Sequence, residues 1–392
     1  MPALQEPPRV VVIGSGIGGS ASSLLLSHVG LPVTLLEKNV HLGGTCAGYE
    51  KQGFHIDFST HVFSRGSKGP FGAVLRRTGH DGALEFLQNK NIAEFRYPAR
   101  DGSGGIERIP FPSQVYRWPM MGTAMARAMN LGPRDMLAGV RMMTDLMTMS
   151  DAKMATWLDR SVTDYTAQFS GNPRLVGVLN YLLTLFFVIP TAETSAGEAI
   201  YCFQRMMRDN SLGYPRGGSK TIPTTYARLA EANGAKVHTR AGVEKILVDD
   251  GAVRGVKLAD DPSKWEDVAL DTARSVLPRL DKHTVFIDRT SKHWMEHWLG
   301  KEYGPVISAA QTPDQVGKNR PSVATPVRGL YLTGDSAGGR GIGTELAADS
   351  TMECAERILA DIGRTNPDAR RTDRYKRPPL AGLAANSLGL AR

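Results

Sequence analysis

Cysteine is scarce in this 392-residue chain. Its three residues, Cys46, Cys202 and Cys354, are odd in number and far apart. That excludes a disulfide framework and a CxxC metal site, and points to a reducing, cytoplasmic compartment. Long apolar runs are missing too. The longest, residues 178–189, is interrupted by Asn180 and Thr184 and is shorter than the ~20 residues needed to cross a bilayer, so no transmembrane helix is expected. The opening MPALQEPPR resembles no signal peptide. Absent as well are a Ser-His-Asp order, a metal-ligand spacing and a Walker loop, which argues against hydrolase, metalloenzyme and ATPase chemistry.

Acidic residues are outnumbered: 39 Asp and Glu face 47 Lys and Arg, a net charge of +8. Such an excess suits nucleic acid, an anionic membrane surface or an anionic ligand. The cations are dispersed, however, and dense only in the tail at Arg370, Arg371, Arg374, Lys376 and Arg377. Nucleic acid is therefore not the expected partner. With 41% hydrophobic residues, a chain of this length can build a sizeable core in two domains.

What is present begins at Val10. The β-branched run VVVI (10–13) reads as a strand, GSGIGG (14–19) as a tight turn, and the residues from Ser20 to Val29 as a helix. Gly14 suits the turn, Gly16 the close approach of backbone to a pyrophosphate, and Gly19 the packing of helix on strand. With Gly18, these residues bring the unpaired N–H groups of a helix start to a phosphate. A second strand, VTLL (33–36), ends in Glu37, 23 residues after Gly14, where a carboxylate can accept ribose hydroxyl protons. Lys38, Gly43, Gly44 and Thr45 follow. This spacing resembles the extended dinucleotide motif of the glutathione-reductase-like flavoproteins; a plain nicotinamide domain is the alternative.

A counterpart lies near the other end. GLYLT (329–333) reads as a strand running into Gly334 and Asp335, and an acid at a strand's carboxyl end can meet the ribityl hydroxyls of FAD. The turn containing Gly341, Ile342 and Gly343 then opens a helix from Thr344 to Leu359, a second positive dipole end for the cofactor. Between the two motifs, alternating apolar residues around Asp249, Asp250 and Gly251 signal a hairpin. Val243, at its start, is a candidate adenine contact in two-dinucleotide flavoproteins.

Taken together, these residues resemble the phytoene desaturase family, which includes carotenoid isomerases and retinol saturases. The likeness extends through DFSTH (57–61), YPRGG (214–218) with Ile222 and Pro223, and TPDQVG (312–317) with Arg320 and Pro321. It implies an α/β fold: a discontinuous Rossmann-type FAD-binding domain (1–62, 212–262 and 326–362) and a second α+β domain facing substrate and membrane (63–211 and 263–325). Residues 363–392 are expected to form a basic flexible tail. The stretch after Asp261 is shorter than the family pattern, so the second domain is expected to be shortened. FAD is the implied cofactor, a carotenoid-like or other isoprenoid lipid the implied partner, with peripheral docking on the inner face of a membrane. An amine-oxidase-like or protoporphyrinogen-oxidase-like enzyme, and a flavin- or lipid-binding protein without catalysis, remain open alternatives.

Ten of the fifteen methionines fall between Met120 and Met154. Met121, Met125 and Met129 share one helix face, and Met136, Met143 and Met147 another, broken by Gly132 and Pro133. Both stripes read either as core or as an adaptable apolar surface flanked by Arg127, Arg134 and Arg141. For chemistry, the candidates are His61, close after the glycine pair, and Glu345, at the start of the last helix, where it is a flavin-ring neighbour or helix-terminus acid more than a base.

Overall fold

The run after Arg9 folds as β1 (Val10–Ile13), helix α1 (Ile17–His28) follows, and β2 (Val33–Leu36) returns parallel to β1, with Val10 opposite Val33 and Ile13 opposite Leu36. The computed structural model describes residues 8–51, 53–58, 63–98, 105–259 and 310–368. Small residues make α1 unusual, because every position from Ile17 to Ser27 is buried. The hydroxyls of Ser20 and Ser23 turn back onto the Gly16 and Gly19 carbonyls, each at 2.9 Å, so these serines sit inside a core helix without competing for other partners.

A hairpin, β3 (Gly48–Lys51) and β4 (Phe54–Asp57), leads to α2 (Pro70–Arg77), whose start is set by a proline in its first turn. Next come the short β5 (Phe86–Leu87) and the longer hairpin β6 (Asn91–Pro98) and β7 (Ile106–Pro112). Six helices follow: α3 (Trp118–Ala128), α4 (Pro133–Thr148), α5 (Asp151–Ala155), α6 (Val162–Ala167), α7 (Pro173–Phe187) and α8 (Ala196–Asp209). The chain then returns through β8 (Tyr214–Pro215), paired with β5, and α9 (Thr221–Ala232) to β9 (Lys236–His238), which lies parallel to β2. Strands in the order β1-β2-β9 form the parallel sheet expected of a Rossmann-type unit. β10 (Val243–Asp249) and β11 (Ala252–Leu258) form the expected hairpin, with positive φ at both Asp250 and Gly251, as a two-residue type I′ turn requires. Helix α10 (Gly343–Asp361) closes the described chain by packing on α1 and α2.

The nucleotide layer has its own core, in which Leu24, Leu25 and Leu26 of α1 and Leu35 of β2 meet Phe71 of α2 and Tyr226 of α9. Each such side chain, fully buried, contributes about 1.5–3 kcal/mol. Phe63, Val74 and Leu75 belong to the same core, so the packing crosses the domain boundary expected at residue 62. A second core joins Met142, Met154, Trp157, Tyr165, Phe187 and Ile200 across α4 to α8, and a third joins Ile109 and Phe111 of β7 to Met121 and Met125 of α3.

The strand expected over residues 329–333 is not formed. Tyr331 makes an isolated bridge with Ala324, and the Leu332 amide donates to the Val323 carbonyl at 2.8 Å. Just before it, Arg328 bonds with Gly251 and Val253 in the β10–β11 turn region. The segment is extended, but its hydrogen bonds are divided among short neighbours, so no ladder builds up. Residues 260–309, which hold the stretch after Asp261 expected to be shortened, and residues 369–392 of the expected basic tail lie outside the described residues. The nearer part of the tail docks: an Asp368 carboxylate oxygen lies 3.1 Å from His28 Nε2 at the end of α1.

Candidate functional site

Three glycine turns converge at the carboxyl ends of β1 and β2. A Cβ on Gly19 would lie 1.8 Å from the Gly14 carbonyl oxygen, so only glycine lets α1 start this tightly after β1. Gly44, held at φ +57°, brings its Cα against Gly16, since a Cβ there would sit 3.1 Å from the Gly16 Cα. Gly18 approaches the third turn in the same way, 3.1 Å from the Gly334 Cα by the same measure. Polar contacts tie these turns together. The Thr351 hydroxyl of α10 lies 3.2 Å from the Gly18 carbonyl and 3.1 Å from the Thr333 hydroxyl, and Ser350 Oγ accepts from the Gly334 amide at 3.3 Å.

The walls of this cradle are backbone, and two helices begin at it without a side-chain cap, α1 at Gly16 and α10 at Ile342. Orphan amides at uncapped helix starts favour a diphosphate. Glu37 stands at the end of β2, 4% exposed. One carboxylate oxygen accepts from the Ser15 amide at 2.8 Å and the Ser15 hydroxyl at 2.6 Å, the other from the Asn39 amide at 2.8 Å. A carboxylate has about four lone-pair sites, so one remains for a ribose hydroxyl. Beside it, burial pushes the Lys38 ammonium pKa down, against the pull of Glu37. The Ala241 amide donates to the Glu37 carbonyl at 2.8 Å, and a Cβ on Gly242 would be 3.5 Å from Lys38 Cβ, which brings Val243 to this end of the sheet. Gly43 joins through its amide, 3.0 Å from Ser15 Oγ, with Thr45 one turn further on. Residues fitting a dinucleotide are thus assembled from four separate stretches of chain.

Asp335 follows Gly334, partly exposed, at the edge of the cradle. The second glycine turn is held differently from the first. Gly341 (φ +119°) donates its amide to Glu198 of α8 at 2.8 Å, and Ile342 packs against the core of the helical layer. Gly343 opens α10.

His61 lies outside the described residues. Glu345 is buried, with one carboxylate oxygen accepting from the Ser64 hydroxyl at 2.8 Å and the Arg65 amide at 2.9 Å, so it anchors the segment just after His61. Burial pushes the Glu345 carboxyl pKa up, against Arg65, Ser64 and the Arg65 amide, which favour the charged form. Arg65 is itself paired with Asp209 at 2.6 Å; burial alone would lower its pKa, but Asp209 and Glu345 hold it above the ordinary value.

The other sequence stretches that carried the resemblance also meet. Asp57 accepts from the Tyr214 hydroxyl and, at 3.1 Å, from the Ser219 amide, joining DFSTH to YPRGG across the sheet edge. Arg320 donates to the Gly339 carbonyl and to Gln311, both at 2.9 Å, and so braces the second glycine turn. Among the residues the sequence did not single out, Ser15 carried a signal, lying inside the first glycine motif next to a partner that needs donors. Thr351, Arg65 and Glu198 had none, because each acts on a partner far away in the chain, and Ser350 had none because its partner Gly334 lies outside its own helix.

The two methionine stripes divide. Met121 and Met125 are core residues while Met129, just past the end of α3, is exposed; Met136 and Met143 of α4 are exposed together with Leu137 and Val140, and Met147 is half-buried. Arg134 and Arg141 of α4 are exposed beside them. No helix among the described residues is long and apolar enough to cross a membrane, no group of side chains there could hold a metal, and no disulfide joins the three cysteines.

Comparison with known proteins agrees with this geometry. A solved oxidoreductase from Methanosarcina mazei superposes with a TM-score of 0.60 at 18% identity, covering 88% of this chain and 99% of that one, and so shares the fold. The chain is 25% identical over 278 residues to the all-trans-retinol 13,14-reductase of Rattus norvegicus, covering 64% of this chain and 44% of that protein. It is 27% identical over 319 residues to the zeta-carotene-forming phytoene desaturase of Myxococcus xanthus, covering 72% and 59%. It is 24% identical over 270 residues to the chloroplastic prolycopene isomerase of Daucus carota, covering 64% and 43%. The chain thus spans about half the length of these curated relatives. The family described as flavin containing amine oxidoreductase matches residues 18–277. With three glycine turns meeting at one dinucleotide cradle and a match over more than half its length, the chain belongs to the flavin containing amine oxidoreductase family, with FAD as its cofactor.

Proposed function

We propose that this chain acts as an FAD-dependent oxidoreductase on C–C bonds of a carotenoid-like or other isoprenoid lipid, by desaturation, saturation or cis-trans isomerisation. The observation that carries the reading is the dinucleotide cradle, found in a chain whose relatives are named for retinol, phytoene and prolycopene. FAD, when bound, supplies hydride exchange with the substrate. The chain supplies binding and orientation. The backbone of residues 14–19 and the start of α1 hold the diphosphate, Glu37 the ribose, Val243 the adenine side, and Gly334 and Asp335 the ribityl side. The helical layer excludes water and aligns the reacting bond, and alignment alone can lower a barrier by several kcal/mol.

Docking on an anionic membrane surface fits the same reading. Met136, Leu137, Val140 and Met143 form one apolar arc of α4, and Arg134 and Arg141 border it on the Leu137 side. That is the layout of a helix lying in a lipid interface, with cations reaching acidic headgroups.

Anaerobic titration of the FAD-loaded protein with polyenes, retinoids and amines tests the function. Loss of the oxidised flavin spectrum, or conversion of the polyene, with isoprenoids alone is the expected result. Bleaching by amines and by no isoprenoid overturns it.

A further inference from the structure

Three successive amides of the second glycine turn each donate to a carboxylate: Gly339 to Glu353 at 2.7 Å, Arg340 to Asp349 at 2.8 Å and Gly341 to Glu198 at 2.8 Å. Glu353 and Asp349 belong to α10, the helix that this turn begins. Glu198 does not. It comes from the first turn of α8, 143 residues away in the helical layer, and is 1% exposed.

A carboxylate buried there is costly unless its partners are well placed. Its first oxygen takes the charge-assisted bond from Gly341, and its second lies 3.7 Å from the Arg340 guanidinium. That guanidinium rests over the Tyr201 ring, 3.8 Å from its centroid, on the same helix as Glu198. Helix α8 therefore holds the turn by a carboxylate on the amide and a ring under the neighbouring cation. Ser195, which caps α8, donates its own amide to the Gln311 carbonyl at 2.7 Å, and Gln311 orients the Arg320 that holds Gly339.

We propose that Glu198 is a positioning residue for the cofactor: by fixing the Gly341 amide it sets the start of α10 against the flavin and ties that placement to the helical layer. The inference rests on the FAD reading above. With the Gly341 amide committed to Glu198, the amides that follow it at the start of α10 are aimed as one rigid unit. Glu198, buried and engaged with the Gly341 amide and Arg340, acts through the turn. Its negative charge, buried beside Arg340, also tunes the field at that helix start.

The test compares wild-type protein, E198Q and E198A, each purified and titrated with FAD. Dissociation constants, visible flavin spectra, midpoint reduction potentials and melting temperatures are measured. E198A is expected to weaken FAD binding about tenfold or more, as loss of a charged hydrogen-bond partner does, and to alter the bound flavin spectrum. E198Q keeps an acceptor oxygen for Gly341 and loses the charge. It is expected to recover most of the affinity but to shift the potential to a more positive value, a separation that a purely structural role does not give. If E198A fails to melt cooperatively, E198Q decides by its potential. Variants that match wild type in affinity, spectrum and potential overturn the inference alone. Wild-type protein that takes up no FAD overturns the functional reading and this inference with it.

Discussion

Glu37 accepts two hydrogen bonds from Ser15, one from the hydroxyl at 2.6 Å and one from the amide at 2.8 Å, on the same carboxylate oxygen. Ser15 Oγ in turn accepts from the Gly43 amide at 3.0 Å, so a single hydroxyl joins the first glycine turn, the end of β2 and the glycine pair.

Ser15→Ala removes that junction while leaving the backbone path intact. Hydrogen bonds to charged groups contribute about 1.5–3 kcal/mol, so FAD affinity is expected to fall by about tenfold or more. Fluorescence titration of FAD measures it. Unchanged affinity would show that the Ser15–Glu37 junction is dispensable for the cofactor.

Gly44→Ala places a side chain on a residue with φ +57° and 3.1 Å from the Gly16 Cα. Left-handed backbone on a non-glycine residue costs about 1–3 kcal/mol before any steric contact is counted. A lower melting temperature together with reduced FAD uptake is expected. An alanine variant that binds FAD like wild type refutes the close approach of the two turns.

Stability should also respond to pH through Glu345 and Asp349, whose carboxyls burial pushes up. Below the ordinary carboxylate range both folded and unfolded chains hold these protons. As pH rises through that range the unfolded chain releases them first, so it binds fewer protons than the folded one and stability falls until the raised folded values are passed. Glu345→Gln keeps an acceptor for Ser64 and Arg65 and removes the titration. Its melting temperature, followed from acid to neutral pH, is expected to fall less steeply than that of wild type. Parallel curves would rule out Glu345 as a source.

Val140 and Leu137 stand exposed on α4 between the methionines and the arginines. Val140→Asp, at an exposed position, is expected to change stability by about 0.5 kcal/mol or less. If α4 docks on lipid, the same change reduces co-flotation with acidic phospholipid vesicles several-fold, and raised salt reduces it further. Equal flotation of variant and wild type, or none by either, removes α4 from the membrane.

Much of the cofactor cradle was legible in the sequence because its requirements are local. The turn after β1 needs glycine at fixed positions, the acid must end β2, and the Asp250–Gly251 turn needs two residues at positive φ; each condition is met within a few residues of chain. Strength of local pattern was no guide elsewhere. The run 329–333 has strand composition but divides its pairing among Val323, Ala324 and Val327, since a strand exists only where a neighbour of matching length supplies a ladder.

The sequence by itself determined the parallel βαβ unit, the dinucleotide motif and the family. Only the tertiary structure decided that Met121 and Met125 of α3 are core while Met136 and Met143 of α4 are surface, that Glu345 anchors the segment after His61, and that Glu198 reaches Gly341. Helical periodicity states which residues share a face and says nothing of what that face meets. A buried carboxylate is placed by donors that arrive from distant stretches of chain, and their arrival depends on the packing of whole layers.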